Sequence, residues 1–288
     1  MATFKDFRNQ IKPNWCPGCG DFSVQAAIQR ASANVGLEPH NLAIVSGIGC
    51  SGRIAGYINA YGLHGIHGRS LPIAQGVKMA NRELTVIASG GDGDGFAIGM
   101  GHTIHAIRRN LDITYIVMDN QIYGLTKGQA SPRSAEGFKT KSTPAGTIEQ
   151  PLAPLEVALS AGATFIAQSF SSNLKQLTEL IEAGLNHKGF SLINVFSPCV
   201  TFNKFNTYDW FKEHIVNTDD IPDYDPSNRI LAMTKLMETN GLLCGLVYQD
   251  QSRQSYQDLI PGFKEQGIAH QDIKISEEKF NQLVSEFK

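Results

Sequence analysis

Short apolar runs rich in β-branched residues alternate along the chain with segments whose apolar positions recur every three or four residues. The runs span residues 42–46, 84–89, 113–119 and 192–196. Each is apolar at consecutive positions, as expected of a parallel strand buried on both faces. Residues 23–35, 71–81, 96–110, 155–161 and 174–186 carry helical spacing. Strands alternating with helices predict an α/β fold with a doubly wound, mostly parallel sheet.

In such sheets ligands sit beyond the carboxyl ends of the strands, where glycines let the backbone turn sharply. GIGCSG follows Ser46, GGDGDGF follows Ser89 and DNQIYG follows Met118. These polar or glycine-rich stretches are expected to share one edge of the sheet, the active-site edge. Residues 130–151 lack apolar periodicity and hold three prolines, which predicts a long surface loop of the kind that forms lids. From Phe202 onward the sequence becomes aromatic and polar, then acidic (TDDIPDYD). A boundary near Val200 gives a domain over residues 1–200 and a smaller C-terminal region over 201–288 with two or three helices. No internal repeat stands out.

Composition narrows the function. Hydrophobic residues at 42% and charged residues at 18% are ordinary for a globular enzyme. A net charge of −2, with no basic run, gives no case for nucleic acid. No stretch is apolar for long enough to span a bilayer, and the first residues have no signal-like apolar core. The expectation is a cytoplasmic protein. Its five cysteines, Cys16, Cys19, Cys50, Cys199 and Cys244, are too few and too odd in number for a disulfide framework.

The GGDGDGF turn runs from a strand into a helix. Its glycines expose N–H groups and the helix start adds positive charge, so it suits phosphate oxygens. Two aspartates make sense there once a divalent cation such as Mg²⁺ bridges them to a diphosphate. Asn120, at the next strand end, offers a second oxygen ligand. The plainer reading is a glycine-rich turn whose aspartates cap a helix. Cys16-Pro-Gly-Cys19 lets two thiolates share one metal, and Cys50 lies at the active-site edge. Either Cys199 or Cys244 completes a set of four, for zinc or for an iron–sulfur cluster.

GDG followed, after an apolar strand, by an asparagine resembles the thiamine diphosphate fingerprint. WCPGCG, GIGCS, HGR, GDGD with HAIRRN, DNQIYGLTKGQ and SPC follow one another from Trp15 to Cys199. Together they resemble the β subunits of 2-oxoacid:ferredoxin oxidoreductases, most of all the 2-oxoglutarate type. The resemblance implies that Asp92, Asn120 and the Ile122 carbonyl hold Mg²⁺. It places Gly93, Asp94, Gly124 and Leu125 at the diphosphate, with Ile48, Gly49, Cys50, Ser51, His67 and Gly68 also at the cofactor. It assigns Cys16, Cys19, Cys50 and Cys199 to a [4Fe–4S] cluster and leaves Cys244 as a buried thiol.

The implied reaction is oxidative decarboxylation of a 2-oxoacid to acyl-CoA and CO₂, with electrons passed through the cluster to ferredoxin. 2-Oxoglutarate is the favoured substrate, with pyruvate next. Arg53 suits the substrate carboxylate, although it equally suits a surface ion pair. An α subunit is expected to supply the pyrimidine half of the cofactor site. His64 is expected at the surface, and His102 and His105 on one face of a helix. Two other readings remain: a non-oxidative thiamine decarboxylase or synthase with structural zinc, and a zinc-stabilised scaffold.

Overall fold

A computed structural model describes residues 2–261, 267–270, 272 and 274–287. The chain runs through α1 (Asp21–Asn34), β1 (Leu42–Ser46), β2 (Tyr61–His64), α2 (Ser70–Ala80), β3 (Thr85–Gly91), α3 (Met100–Arg109) and β4 (Ile113–Asp119). A short hairpin, β5 (Ile122–Tyr123) and β6 (Gln129–Ala130), precedes the long loop. Then come α4 (Pro154–Ser160), β7 (Phe165–Phe170), α5 (Leu174–Asn186) and β8 (Phe190–Phe196). The remainder holds α6 (Tyr208–His214), β9 (Val216–Asn217), α7 (Arg229–Glu238), β10 (Leu243–Gln249), α8 (Tyr256–Leu259) and α9 (Glu277–Ser285).

Eight strands form one sheet in the order β2-β1-β3-β4-β8-β7-β10-β9. All neighbours are parallel except β10, which runs antiparallel to β7. The expected α/β doubly wound sheet is therefore present, and alternation along each strand builds a core on each face. Ala43 and Val45 of β1, and Tyr115 and Val117 of β4, point to one core with α2, α3, α4 and α7. Leu42, Ile44, Ile116 and Met118 point to the other, with α1 and α5. Residues after Val200 pack onto the same sheet, since β10 extends it and Leu236 of α7 joins the first core.

The apolar runs form β1, β3, β4 and β8, with ends moved by up to two residues. β2 carries no such signal, because it is an edge strand whose four residues are all exposed. β7 is hidden by Gln168, a buried polar residue whose amide donates to the Gly241 and Leu243 carbonyls at 2.7 and 2.8 Å. The helix expected over 96–110 opens instead as a π-helical turn, Asp94–Ile98, before α3 proper. Such wide turns recur at functional sites because they re-aim side chains without ending the helix.

Candidate active site

After β1 the chain turns outward to β2, whereas after β3 it crosses to β4 on the opposite side. That reversal opens a crevice at the carboxyl ends of β1 and β3, where doubly wound folds bind ligands. A cavity of about 130 Å³ lies there. The β1 loop lines it with Ile48, Gly49, Cys50 and Ser51, the β3 turn with Asp92, Gly93 and Asp94, and the loop before α2 with His67. Asn120, Ile122, Gly124 and Leu125 close it from the β4–β5 side. Tyr123 and Thr126 also line it, although nothing in the sequence singles them out.

Asp94 ties these loops together. Its Oδ1 accepts from the Ile48 and Gly68 N–H groups at 2.9 and 2.8 Å, and His67 Nδ1 lies 2.8 Å away. Its Oδ2 is buried without a partner. Gly47 has to be glycine, because a Cβ there would stand 1.9 Å from that oxygen. Gly68 thus belongs to the site through its N–H rather than by lining the cavity.

Asp92 is buried, and burial together with the nearby Asp119 carboxylate raises its pKa. Ser131 Oγ donates to Asp92 Oδ2 at 2.5 Å. Asp119 is balanced by Arg133, whose Nε donates to its Oδ2 at 2.9 Å. Ser134 Oγ donates to the Gln121 carbonyl at 2.7 Å. The Ser131-Pro132-Arg133-Ser134 segment therefore pins the long loop onto the acidic turn. Gln121 adopts a left-handed conformation, φ 58°, between Asn120 and Ile122. A non-glycine residue adopts it only when neighbours enforce it. Here Ser134 holds Gln121, and buried Asn203 donates to the Asn120 carbonyl at 3.1 Å.

Four cysteines converge beside this cavity. Cys16 and Cys19 form a tight turn in which the Cys19 N–H donates to the Cys16 carbonyl at 3.0 Å. A Cβ on Gly124 would lie 3.5 Å from Cys199 Sγ and 3.7 Å from Cys50 Sγ. Burial first, then Asp21 and other cysteines, raises the Cys19 thiol and pushes Cys50 up to about 11. Among the described residues, no group of three or more His, Cys, Asp or Glu is set to hold a single metal ion. Trp15 Nε1 donates to the Cys50 carbonyl at 2.7 Å, and Tyr208 Oη donates to the Gly18 carbonyl at 3.1 Å. Asp21 is buried beside Cys19, raised to about 6 by desolvation, with Ser197 Oγ 2.7 Å from Oδ1.

Cys244 lies apart, buried with Phe170, Phe196 and Phe211. Arg53 sits half-buried on the short helical turn after Cys50, and its charge favours the Cys50 thiolate. It does not line the cavity. His64 is exposed on β2, while His102 and His105 lie on α3 outside the cavity wall.

The family model of the thiamine pyrophosphate enzyme C-terminal TPP-binding domain matches residues 47–195. A second family model, for the C-terminal part of the pyruvate ferredoxin oxidoreductase beta chain, matches residues 199–265. The 2-oxoacid:ferredoxin oxidoreductase 2 subunit beta of Aeropyrum pernix is 39% identical, covering 96% of this chain and 94% of that one. The 2-oxoglutarate synthase subunit KorB of Archaeoglobus fulgidus is 40% identical, covering 73% of this chain and 79% of that one. A solved structure of the 2-oxoglutarate:ferredoxin oxidoreductase from Magnetococcus marinus, with 2-oxoglutarate, coenzyme A and succinyl-CoA bound, superposes with TM-score 0.88. It is 37% identical and covers 98% of this chain and 96% of that one.

Proposed function

This chain belongs to the β subunits of 2-oxoacid:ferredoxin oxidoreductases, and on that premise we propose that with its α subunit it oxidises 2-oxoglutarate to succinyl-CoA and CO₂. Pyruvate is the second substrate in order. The observation that carries the reading is one cavity bounded by Asp92, Asn120 and Ile122 on one side and by Cys50 on another. Carboxylate, amide and carbonyl oxygens are the ligands a Mg²⁺ shared with a diphosphate requires. The unpartnered Asp94 Oδ2 marks the same turn as built for a bound group.

Bound here, thiamine diphosphate supplies the carbon nucleophile and electron sink for decarboxylation, and a [4Fe–4S] cluster supplies one-electron carriage to ferredoxin. The chain's own groups bind and orient. Asp92, Asn120 and the Ile122 carbonyl would hold Mg²⁺. Gly93, Asp94, Gly124 and Leu125 would lie along the diphosphate, with Ile48, Gly49 and Ser51 shaping the wall and Gly68 holding Asp94 through its N–H. His67 is fixed by Asp94 Oδ1, so its other ring nitrogen is free to face the cofactor. Arg53 takes a carboxylate of the substrate.

Cys16, Cys19, Cys50 and Cys199 would hold the cluster. A single zinc would need its thiolates gathered at about 2.3 Å around one atom. Four thiolates are also what a [4Fe–4S] cluster takes, and these cysteines lie near enough to influence one another electrostatically. The test compares Cys199→Ser with Cys244→Ser in the α–β complex. Iron and visible absorption fall in the first and persist in the second; the reverse would sink the ligand set. Arg53→Met raises the KM for 2-oxoglutarate about ten-fold through the lost paired hydrogen bonds. An unchanged KM removes Arg53 from the substrate site.

A further inference from the structure

A cavity of about 230 Å³ is walled by α4, α7, Gln168 of β7 and the turn into β10, and it shares no lining residue with the cofactor cavity. Pro151, Leu155 and Leu236 give it an apolar side. Two opposite charges, Arg133 and Glu156, line it as well. Arg133 is only 9% exposed, and part of its guanidinium is committed. Its Nε donates to Asp119 Oδ2 at 2.9 Å and its Nη1 to the Leu152 carbonyl at 2.5 Å. Its Nη2 has no partner among the described residues, so both N–H donors there stay open. Glu156, half-buried on the first turn of α4, has neither a hydrogen bond nor an ion pair among the described residues. The two charges therefore do not pair with each other. Gln168 adds no open group: its amide is spent on the Gly241 and Leu243 carbonyls, and its Oε1 accepts from Asn194 at 2.8 Å.

A charge held beside apolar side chains is costly unless it is paired. An anion alone would meet Glu156 here, and a cation alone would meet Arg133. A zwitterion answers both, with its carboxylate on the guanidinium and its ammonium group on the carboxylate. An aliphatic tail then fits against Pro151, Leu155 and Leu236. The volume is below that of pockets for drug-sized ligands, so the occupant is small.

We propose that this cavity binds a free aliphatic α-amino acid, with Arg133 on its carboxylate and Glu156 on its ammonium group. Binding is read directly, so the outcome is independent of the reaction proposed above. In equilibrium dialysis of the α–β complex, labelled L-leucine saturates at one molecule per β chain. As competitors, 4-methylpentanoate lacks the ammonium group and 3-methylbutylamine lacks the carboxylate. Each binds about ten-fold more weakly than L-leucine, as loss of a charge-assisted hydrogen bond requires. Glu156→Gln, an isosteric change at an unpartnered carboxylate, weakens L-leucine by a similar factor and does not weaken 4-methylpentanoate. Ala153→Phe fills the cavity, leaves the Arg133–Asp119 pair in place and abolishes binding of all three.

The absence of saturable L-leucine binding overturns the proposal. So does L-leucine affinity that survives Glu156→Gln, since the ammonium group would then lie elsewhere. If 4-methylpentanoate binds as tightly as L-leucine, the cavity is a plain anion site and the amino-acid assignment falls.

Discussion

Asp92 and Asp94 stand two residues apart and do different work. Asp94 spends one oxygen on three donors from two loops, so it assembles the site. Asp92 is gripped on one oxygen by Ser131, and on the proposed function the other oxygen turns toward the cation. Ser131→Ala frees that carboxylate and forfeits a charge-assisted hydrogen bond worth about 1.5–3 kcal/mol. The Mg²⁺ concentration for half-saturation with thiamine diphosphate therefore rises by roughly ten-fold or more. Equilibrium dialysis at fixed cofactor measures it, and an unchanged requirement would assign Ser131 to loop packing only. Asp92, Asn120 and the cysteine pair are legible in the sequence because their spacing is local. Ser131 and Arg133 are not, since each meets its carboxylate only once the loop folds back across the sheet. Asp21 and Trp15 are hidden for the same reason: their partners, Ser197 and Cys50, are distant in sequence.

At the scale of elements, buried strands and amphipathic helices announce themselves, whereas β2, β7 and β10 do not. β2 is too exposed, and β7 hides Gln168 behind bonds made in the folded sheet. A similar buried polar knot sits at the opposite end of the sheet. His187, just after α5, places Nε2 2.9 Å from Thr164 Oγ1, which itself donates to Asn110 Oδ1 at 2.7 Å. Burial lowers the His187 pKa below its ordinary value of 6.5. The unfolded chain therefore takes up a proton as pH falls through 6.5, while the folded chain refuses it until lower pH. This group costs nothing above that value and destabilises the fold progressively below it. His187→Gln removes the dependence. Urea midpoints measured from about pH 7.5 down to about pH 5 should fall less steeply in the variant, and equal slopes would mean the histidine titrates normally.

Taken whole, and on the proposed function, the molecule presents a half-site. A cavity of about 130 Å³ is well under the few hundred Å³ of usual cofactor pockets. On the proposed function it holds the metal and the diphosphate. The chain belongs to a family of β subunits, which implies an α partner, and on the proposed function that partner completes the cofactor site. The C-terminal segment serves the site rather than standing apart, through Asn203 on the Asn120 carbonyl and Tyr208 on the Gly18 carbonyl. Among the described residues, no helix is long and apolar enough to cross a membrane.

The most direct test is an anaerobic absorption spectrum, with iron, sulfide and zinc quantified on the same sample, taken for the chain alone and with its α subunit. The predicted result is a brown chain with about four irons and four sulfides. In the complex, 2-oxoglutarate and coenzyme A should bleach the cluster, and they should leave the isolated chain unchanged. A colourless chain carrying zinc would contradict the redox role and leave a non-oxidative thiamine enzyme in its place.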